Sequence, residues 1–459
     1  MKLDKKKYLE IDTKINSLDF SYNGIDVTYI VRNYFIAQLR NKYNQGNKEI
    51  KLNKKIYLRL IKNGFSTLKN LFKKSEILVF SNAERRKKIG DFYYDRVTSI
   101  VSEISEDVLF IENPIIIDHK YPTKEIILSD ALLFLCSYFY SIICFKKKKL
   151  KIDSELLLYA KENEITINIV PLIKRFYGQY KIMQLYLKFI NKPKIVYEAY
   201  PIGYYGYNYA FKEQSIPIIE LQHGVIYPLH PAYNCSSMIN SNKFKPDYIY
   251  TYGLKDKECL EEMNYLNKDH IITVGSYGLE KNKNSTDVIG EYLSGLINKN
   301  QKIIAVIPTT EDLKELYELS IEIAEKLNGD YLLLILPRFE SNEFTNSTNV
   351  KVLNVSKTNI FELYNICEFL ITKNSTAALE SLYMNIPTFI YETEYSIFRT
   401  NYSYLNTLNY FNTTDEITKN ITFKKYILPD SNEMNNVYQN NVIENAKKIH
   451  KIINESRKC

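Results

Sequence analysis

The chain has 459 residues, about three times the usual length of a single domain, which predicts at least two domains. Its composition is 45% hydrophobic and 25% charged, which excludes a mostly disordered chain, and its 14 Gly and 13 Pro exclude a collagen-like or linker-rich architecture. The net charge of +8 is uneven, with +14 in residues 1–250 and −6 in residues 251–459. This asymmetry indicates either a solvated basic face or an anionic partner such as a membrane surface, a phosphorylated lipid or nucleic acid.

Six cysteines are scattered without C-x-x-C or Cys/His ligand spacing, which fits a reducing cytosol and offers neither a disulfide framework nor a zinc site. The N-terminal MKLDKKKYLEID has no apolar core after its lysines, so we expect no secretory signal there. We therefore expect a cytoplasmic protein, with peripheral attachment to the inner face of the cell membrane through the basic first hundred residues as a further hypothesis.

One apolar stretch, Ala131–Phe145, precedes the lysine run 146–149. Fifteen residues of helix reach only ~22 Å, short of the ~30 Å hydrocarbon core of a bilayer. Ser129-Asp130 before the stretch resembles a helix cap. We expect a buried helix first, docking on a membrane surface beside the lysines second, and a membrane span last.

The N-terminal half reads as a helical segment followed by alternating strands and helices. Residues 1–75 are basic and have apolar residues at helical spacing. Short apolar runs then predict strands, with helices over Tyr204–Glu213 and Lys255–Asn264. The predicted strands are Ile77–Ser81, Val108–Ile111, Ile195–Tyr197, Ile216–Leu221, Tyr248–Thr251 and Ile271–Val274.

The pattern restarts after a polar, turn-rich segment, Asn282–Asp287. Helices are predicted over Asp312–Leu327, Asn359–Tyr364 and Thr376–Met384, and a last helix over Asn441–Ile453. The predicted strands are Lys302–Pro308, Tyr331–Leu336, Val350–Leu353, Phe369–Thr372 and Thr388–Tyr391. Apolar strands alternating with helices indicate parallel sheets covered on both faces.

We therefore predict an α/β protein of GT-B type, with two Rossmann-like domains facing a cleft and a helical N-terminal extension. The predicted divisions are a basic helical segment 1–75, an acceptor domain 76–285, a nucleotide-sugar domain 286–440, and a C-terminal helix 441–459 that packs back on the first domain. Ligands of open α/β sheets bind at the carboxyl ends of the strands, so candidate residues should follow the strands.

The first such cluster is Glu220-Leu221-Gln222-His223-Gly224, which ends an apolar strand. Glycine permits a sharp turn and close approach of a ligand, and a histidine is suited to removing a proton from an attacking hydroxyl. We predict catalytic roles for His223 and Glu220, and contact with the acceptor substrate for Gln222, Gly224 and His230. A histidine that only bonds a loop carbonyl is the alternative.

The second cluster, Lys373-Asn374-Ser375-Thr376, follows strand FLIT and precedes a helix. Free N–H groups, hydroxyls and the lysine charge would suit a phosphate, and Glu380, one turn into the helix, would suit a ribose. Simple helix capping and a solvated acid are the alternatives. Two further strand ends add Thr309, Thr310 and Arg338 as candidate nucleotide or phosphate ligands, the arginine as a planar clamp.

A basic loop, Ser81–Asp91, follows the first strand, and its Arg85, Arg86 and Lys88 could hold an anionic acceptor or a sugar carboxylate. Asp91 or Asp95 is a reserve candidate for the catalytic base. A charge run is also commonly just solvated. The sequence has no G-x-x-x-x-G-K-[ST] loop, no G-x-G-x-x-G fingerprint and no D-x-D at a strand end, so we expect neither metal nor cofactor.

The strings IPIIELQHGVIYPLHPAY, PDYIYTYG and ITKNSTAALESLYMNIPTFIY resemble bacterial GT-B glycosyltransferases that build capsule, lipopolysaccharide and related surface glycans. The Gln-His-Gly loop looks like that of the teichoic acid glycerophosphotransferases, which implies a base role for His223. The Asn-Ser-Thr run is similar to the phosphate-binding motif of polysialyl- and Kdo-transferases and maps to Ser375 and Thr376. Those enzymes commonly have His-Pro where this chain reads Leu336-Pro337-Arg338. The resemblance covers residues 75–395.

The sequence thus predicts an inverting, metal-independent glycosyltransferase that moves a sugar from a nucleotide-activated donor, with a CMP-sugar favoured, to a growing surface glycan or glycolipid. A polyol-phosphate transferase using a CDP-alcohol and a nucleotide-sugar epimerase of the same fold are the alternatives. A non-catalytic scaffold would require the polar strand ends to be coincidental. We expect no nucleic-acid partner, because no binding motif accompanies the basic residues.

Overall fold

The computed structural model describes residues 5–42, 54–228, 230, 232–234, 243–283, 290–297, 301–340, 343–392 and 405–455. Pro231 and most of the predicted turn Asn282–Asp287 lie outside these residues. The described chain divides into two compact units. Unit 1 contains the residues up to Gly278 and those from Asn441 onward, and unit 2 contains the residues between them.

Strands occur throughout both units. In chain order they are β1 Phe20–Tyr22, β2 Ile25–Asp26, β3 Ile77–Asn82, β4 Arg86–Ile89, β5 Phe92–Asp95, β6 Val108–Asn113, β7 Ile127–Ser129, β8 Leu150–Ile152, β9 Ile195–Glu198, β10 Ile218–Leu221, β11 Tyr248–Thr251, β12 Ile271–Thr273, β13 Lys302–Ile307, β14 Tyr331–Ile335, β15 Val350–Val352, β16 Phe369–Thr372, β17 Thr388–Tyr391 and β18 Asn409–Phe411.

Helices connect most of these strands. They are α1 Lys5–Asn16, α2 Thr28–Lys42, α3 Lys54–Ser66, α4 Ile100–Ile104, α5 Asp130–Cys144, α6 Ser154–Glu162, α7 Ile169–Phe189, α8 Tyr205–Glu213, α9 Leu254–Glu262, α10 Tyr277–Lys283, α11 Glu291–Ser294, α12 Leu313–Lys326, α13 Ile360–Tyr364, α14 Ala377–Tyr383, α15 Thr414–Thr422, α16 Ser431–Val437 and α17 Val442–Glu455.

Each unit is built on one parallel sheet with the same strand order. The sheet of unit 1 runs β12-β11-β10-β9-β3-β6-β7, and that of unit 2 runs β15-β14-β13-β16-β17-β18. Numbered in chain order within each sheet, and taken from the β7 end in unit 1, both follow the Rossmann order 3-2-1-4-5-6, with one further strand in unit 1. The order reverses between β3 and β9 in unit 1 and between β13 and β16 in unit 2, and these are the places where ligands of such sheets bind.

The sheet of unit 1 is covered on both faces. On β3, Leu78 and Phe80 belong to a core shared with α2, α7 and α8, whereas Ile77 and Val79 belong to a core shared with α4 and α17. Side chains of a strand alternate between faces, so a strand apolar at every position needs both covers. Helix α17 supplies Val442, Ala446 and Ile453 to the second core.

The N-terminal segment is mostly helical, as its spacing predicts, but it also contains strands. Phe20–Tyr22 pairs with Ile25–Asp26 and with Leu150–Ile152 in a small antiparallel sheet. The turn of this hairpin uses Asn23 and Gly24, both with positive φ, which these residue types adopt most readily. An Asn-Gly pair is typical of a two-residue hairpin turn, and in the sequence it is the feature that indicates this hairpin.

The apolar stretch forms α5, with the Ser129 hydroxyl accepting a hydrogen bond from the Ala131 N–H as a helix cap. The expectation of a buried helix is met on one side of α5 and is wrong for the other. Its first turn is buried, but Phe139 is 60% exposed and Ile143 81% exposed. None of the described helices combines the length and apolar character that crossing a bilayer requires.

Candidate functional site

The candidate site of unit 1 lies at the carboxyl edge of its sheet, where the strand order reverses. Three neighbouring strands, β3, β9 and β10, lead into Arg85, Tyr200 and His223 respectively. Because the carboxyl ends of parallel strands meet at the same edge of a sheet, these three residues lie at that edge. Ligands of such sheets bind at this edge, so the polar groups found there are candidates for ligand binding.

His223 follows β10 after one intervening residue and is half-buried. The Tyr200 ring meets the His223 ring edge-on, with 5.6 Å between centroids and 87° between planes. This contact holds the imidazole plane while part of the ring stays accessible, which a proton-transfer group requires.

Gln222 supports the loop that carries His223. Its side-chain oxygen accepts a hydrogen bond from the Tyr252 N–H at 2.6 Å, and its amide nitrogen donates to the Gly224 carbonyl at 2.8 Å. Only 2% of Gln222 is exposed. The structure therefore makes Gln222 a positioning residue, and the predicted contact of its side chain with the acceptor is wrong.

Gly224 lies in open space. A Cβ added there would meet no described atom within 4 Å, and its φ is outside the left-handed region. Neither packing nor backbone conformation requires glycine at this position. Close approach of a ligand, the reason predicted from the sequence, is compatible with this geometry.

Glu220 is fully buried, which contradicts a direct catalytic role. Its two carboxyl oxygens accept hydrogen bonds from the Tyr233 hydroxyl at 2.7 Å and the Tyr265 hydroxyl at 3.1 Å. Burial raises the pKa of Glu220 to about 7, and the two tyrosine hydrogen bonds oppose that rise. The penultimate residue of strand β10 is therefore an interior acid that anchors the segment containing Tyr233.

His230 belongs to the same anchored segment. Its ring packs against Tyr227 and Tyr233 at centroid distances of 4.9 and 4.7 Å, and its Nδ1 accepts a hydrogen bond from the Ala232 N–H at 3.3 Å. Burial, reinforced by the positive charge of Arg40, lowers the pKa of His230 to about 3. The imidazole is therefore neutral at physiological pH.

Three arginines gather around Tyr200. Partial burial raises the pKa of Tyr200, while the positive charges of Arg40, Arg175 and Arg85 act in the opposite direction. Arg175 also donates to the Gly203 carbonyl at 3.2 Å. Tyr200 thus contacts His223 and is under the influence of three guanidinium charges, which can hold an anion near the imidazole.

The predicted basic loop is a short 3-10 turn, Ala83–Arg85, followed by the hairpin β4–β5. Arg86 is fully buried between the carboxylates of Glu112 and Glu125, so its predicted contact with the acceptor is wrong. Lys88 and Asp91 lie exposed on the hairpin. A basic run in sequence thus divides into an interior ion pair and a solvated turn.

Asp95 is excluded as a reserve base by its contacts. It is fully buried and accepts hydrogen bonds from the backbone N–H groups of Val97 at 2.8 Å and Thr98 at 3.1 Å. These bonds satisfy the turn that begins α4. Asp95 is a structural cap.

The candidate site of unit 2 lies at its own reversal of strand order. Thr309 and Thr310 follow β13, and the segment from Lys373 to Thr376 follows β16. Thr309 is half-buried and Thr310 exposed. The backbone N–H of Thr309 donates to the Asp312 carboxylate at 2.5 Å.

Lys373 is paired with acid groups of the protein itself. Its Nζ lies 2.5 Å from the Glu315 carboxylate, and only 6% of the lysine side chain is exposed. Burial raises the pKa of Asp312, and the charge of Lys373 is among the influences that lower it. Lys373 therefore pairs with Glu315, and its predicted role as countercharge for a phosphate is not supported.

The Asn374-Ser375-Thr376 segment is half-buried and leads into α14. The Ser375 hydroxyl accepts a hydrogen bond from the Ala377 N–H at 3.3 Å. Helix α14 spans only seven residues, so a phosphate would have to be bound mainly by these side chains and local N–H groups.

Glu380 is 8% exposed, and its carboxylate accepts hydrogen bonds from the Tyr364 hydroxyl at 3.0 Å and the Thr376 hydroxyl at 3.2 Å. These contacts make it a support for Thr376, and its predicted contact with a ribose is not supported. Arg338 lies exposed beyond β14, with its guanidinium carbon 5.6 Å from the centre of the Phe339 ring. It remains the accessible cation of this edge.

The sequence missed four site residues that come from distant parts of the chain. Arg40 ends α2 and Arg175 lies within α7, so no strand-end pattern marks them. Tyr200 follows β9 as one of 40 tyrosines, and the sequence predicts Asp312 only as the start of a helix. Within the described ranges, no three His, Cys, Asp or Glu side chains form a metal-ligating group.

Comparisons with known proteins bear on the fold. No protein-family model matches the sequence, and no curated protein matches it significantly. Among solved structures, the wall teichoic acid polymerase TagF gives a TM-score of 0.50 at 14% identity, covering 89% of this chain and 100% of that chain. UDP-GlcNAc 2-epimerase from Neisseria meningitidis gives 0.47 at 13% identity, covering 84% and 99%. The enzyme of the same name from Methanocaldococcus jannaschii gives 0.46 at 12% identity, covering 83% and 100%.

Two Rossmann-like units and the likeness to the polymerase confirm the predicted α/β fold of GT-B type. At this level of identity, the likeness concerns the fold. Proteins of one fold differ in function through the residues of their sites.

Proposed function

We propose that this protein is a glycosyltransferase that moves a sugar from a nucleotide-activated donor to a surface glycan or glycolipid. The observation that carries the proposal is the placement of His223 at the carboxyl edge of the unit 1 sheet, against Tyr200 and beside a group of three arginines. A base next to an anion-binding group fits an acceptor that presents both a hydroxyl and a negative charge.

In this mechanism the acceptor binds unit 1, with its anionic group on Arg40, Arg85 and Arg175 and its chain passing over Gly224. His223 takes the proton of the acceptor hydroxyl as that oxygen attacks the anomeric carbon, and the bond from that carbon to the nucleotide phosphate breaks with inversion. The phosphate leaves with both bonding electrons. Gln222, Glu220 and His230 hold the loop in place.

The nucleotide binds unit 2, at the end where Thr309, Thr310, Arg338, Asn374, Ser375 and Thr376 lie. Accessible hydroxyls and one exposed guanidinium can bind a diphosphate or monophosphate without a metal. A CMP-sugar is the first donor to test.

A polyol-phosphate transferase using a CDP-alcohol is the second candidate. The likeness to wall teichoic acid polymerase favours it, and three arginines around Tyr200 suit an acceptor that carries phosphate. A nucleotide-sugar epimerase is the third, and it would convert the donor without any acceptor. We further propose that the protein acts in the cytoplasm, attached peripherally to the cell membrane.

The test begins with thermal unfolding in the presence of CMP, CDP, UDP and GDP, because a ligand that binds the native state raises the midpoint. The nucleotide that raises it selects the donors for product analysis, with and without acceptor. Transfer of a sugar supports the first candidate, and transfer of a polyol phosphate replaces it with the second. A changed sugar without acceptor replaces it with the third.

His223→Ala should then lower turnover by roughly 10²–10⁴-fold. The matched control is His270→Ala, because His270 also packs against a tyrosine ring, Tyr248 at 4.6 Å, but precedes β12 at the amino edge of the same sheet. Equal turnover in the two variants would remove His223 from the base role.

A further inference from the structure

Helix α3 turns its apolar side to solvent. Its stripe, at three- and four-residue spacing and continued just beyond the helix, consists of Leu58, Ile61, Phe65, Leu68 and Phe72, and Phe65 and Phe72 are each 72% exposed. A helix on a soluble protein normally buries such a stripe and exposes the opposite side. Here Leu60 is buried, but the larger apolar stripe of the same segment faces solvent.

The inward side of this segment combines Leu60 and Gly64 with two polar residues that are hydrogen-bonded there. Asn63 is 4% exposed and donates to the Asp118 carboxylate at 2.6 Å, and Thr67 is 2% exposed and accepts from the Ser129 N–H at 2.9 Å. These bonds fix the rotation of α3. Exposure of Phe65 is therefore a property of the folded unit.

Helix α5 continues the exposed apolar surface. A Cβ at Gly64 would lie 3.7 Å from the Leu132 nitrogen, so the two helices are in direct contact. Beyond that contact, α5 exposes Tyr138, Phe139, Ile142 and Ile143. We call the exposed apolar faces of α3 and α5, together with Leu68 and Phe72, the α3–α5 surface.

The segments that form this surface carry positive charge, and the acid beside α3, Asp118, is paired with Lys62 at 3.3 Å. Residues 54–75 contain seven Lys or Arg and no Asp or Glu, and residues 131–149 contain four Lys and no acid. Lys54, Lys55 and the run 146–149 are exposed. An apolar stripe edged by lysines fits the interface of an anionic bilayer, where side chains insert to the depth of the acyl boundary and lysines meet the headgroups.

We propose that the α3–α5 surface is a docking site for the anionic leaflet of a phospholipid bilayer, entered by Phe65, Phe72, Phe139 and Ile143 without a membrane span. Self-association through the same face is disfavoured, since it would bring two copies of a lysine-rich border together. The inference deepens the proposed function, because it names where a membrane-anchored acceptor would be met. Vesicle binding can be measured without any catalysis.

The chain contains no tryptophan, so one introduced tryptophan reports its own surroundings. Phe65→Trp should show a blue-shifted emission on mixing with vesicles of phosphatidylglycerol and phosphatidylcholine, and brominated acyl chains should quench it. Phe423→Trp is the control, because Phe423 is similarly exposed, at 66%, but lies in unit 2. Its emission should stay unchanged.

Cosedimentation with the same vesicles measures the partition coefficient. This coefficient should fall at least tenfold for Phe65→Ser/Phe72→Ser and remain at the wild-type value for Phe423→Ser. Lys147→Gln/Lys148→Gln/Lys149→Gln should weaken binding to anionic vesicles, and 0.5 M NaCl should do the same. Equal binding of the serine double variant and wild type would overturn the proposal. The proposal would also be overturned if, without lipid, the wild type were a dimer and the serine double variant a monomer, because the surface would then bind a second protein chain.

The outcome is separable from that of the proposed function. If Phe65→Ser/Phe72→Ser loses vesicle binding but still transfers to a short soluble acceptor, the result supports both the docking surface and the proposed function. If the wild-type protein binds vesicles but transfers no sugar, the result supports the docking surface and rejects the proposed glycosyltransferase function.

Discussion

Glu198 and Glu220 occupy directly paired positions on the adjacent parallel strands β9 and β10, and both are fully buried. Asn208 donates to Glu198 at 2.9 Å, and two tyrosine hydroxyls donate to Glu220. Burial, together with the neighbouring Glu220 charge, raises the pKa of Glu198 far above its usual range. Beneath the His223 loop, Glu198 is therefore held in the neutral form, and Glu220 keeps its proton up to about pH 7.

Glu220→Gln should flatten the pH dependence of stability. The unfolded chain releases this proton near pH 4.5, whereas the folded protein keeps it to about pH 7, so the free energy of unfolding falls as pH rises through that window and is constant above it. Glutamine removes the contribution, which is on the order of 3 kcal/mol across the window. Urea denaturation of both proteins from pH 5 to 8 measures it, and parallel curves would contradict the buried-acid interpretation.

Arg85→Ala and Arg86→Ala should behave differently although the residues are adjacent. Arg86→Ala leaves Glu112 and Glu125 buried without their cation and should lower the free energy of unfolding by about 3–5 kcal/mol. Arg85→Ala should change stability by less than ~1 kcal/mol and should raise the KM for the acceptor. Urea denaturation and acceptor titration separate the two effects, and an unchanged KM would remove Arg85 from the acceptor site.

Gly206→Ala and Gly224→Ala form a second contrast. A Cβ at Gly206 would lie 2.5 Å from the Gln179 Cβ and still closer to the Phe176 carbonyl, so α7 and α8 must separate, at about 1–3 kcal/mol or more. Gly224→Ala should leave stability within ~0.5 kcal/mol and lower kcat/KM about tenfold or more, because the methyl group enters the space kept for the acceptor. Full activity in Gly224→Ala would show that no ligand uses that space.

Arg338→Ala should weaken nucleotide binding about tenfold or more, through loss of a charge-assisted hydrogen bond. Lys373→Met should act mainly on stability, since it leaves the Glu315 carboxylate without its cation and removes a favourable charge near Asp312. Calorimetric titration with the nucleotide that raises the thermal midpoint tests both. If Lys373→Met loses more affinity than Arg338→Ala while remaining folded, the assignment of the phosphate ligand must be reversed.

Strand positions were predictable because the strands of both sheets are buried on two faces. Tyr248–Thr251 and Phe369–Thr372 match the structure at both ends. Ile127–Ser129 and Asn409–Phe411 were missed, because three-residue strands next to a long apolar helix or in an asparagine-rich stretch carry no periodicity.

Chemical roles were harder to predict than positions, because sequence does not show burial. Glu220 and His223 are three residues apart, yet one is fully buried and the other half-buried. Arg85 and Arg86 diverge within one residue, since the chain passes from a turn into a strand. Arg40 and Arg175 reach the site only through the packing of α2 and α7, which no local pattern records.

Helix α17, described above as part of the second core of unit 1, imposes an order on biosynthesis. Unit 2 is encoded entirely before residue 441, so its sheet can close while the ribosome is still adding the final helix. Unit 1 begins first but lacks Val442, Ala446 and Ile453 until translation has passed residue 455. The unit that carries His223 is thus the last to mature, and a nascent chain stalled before that point would expose Tyr197 and its neighbours to chaperones.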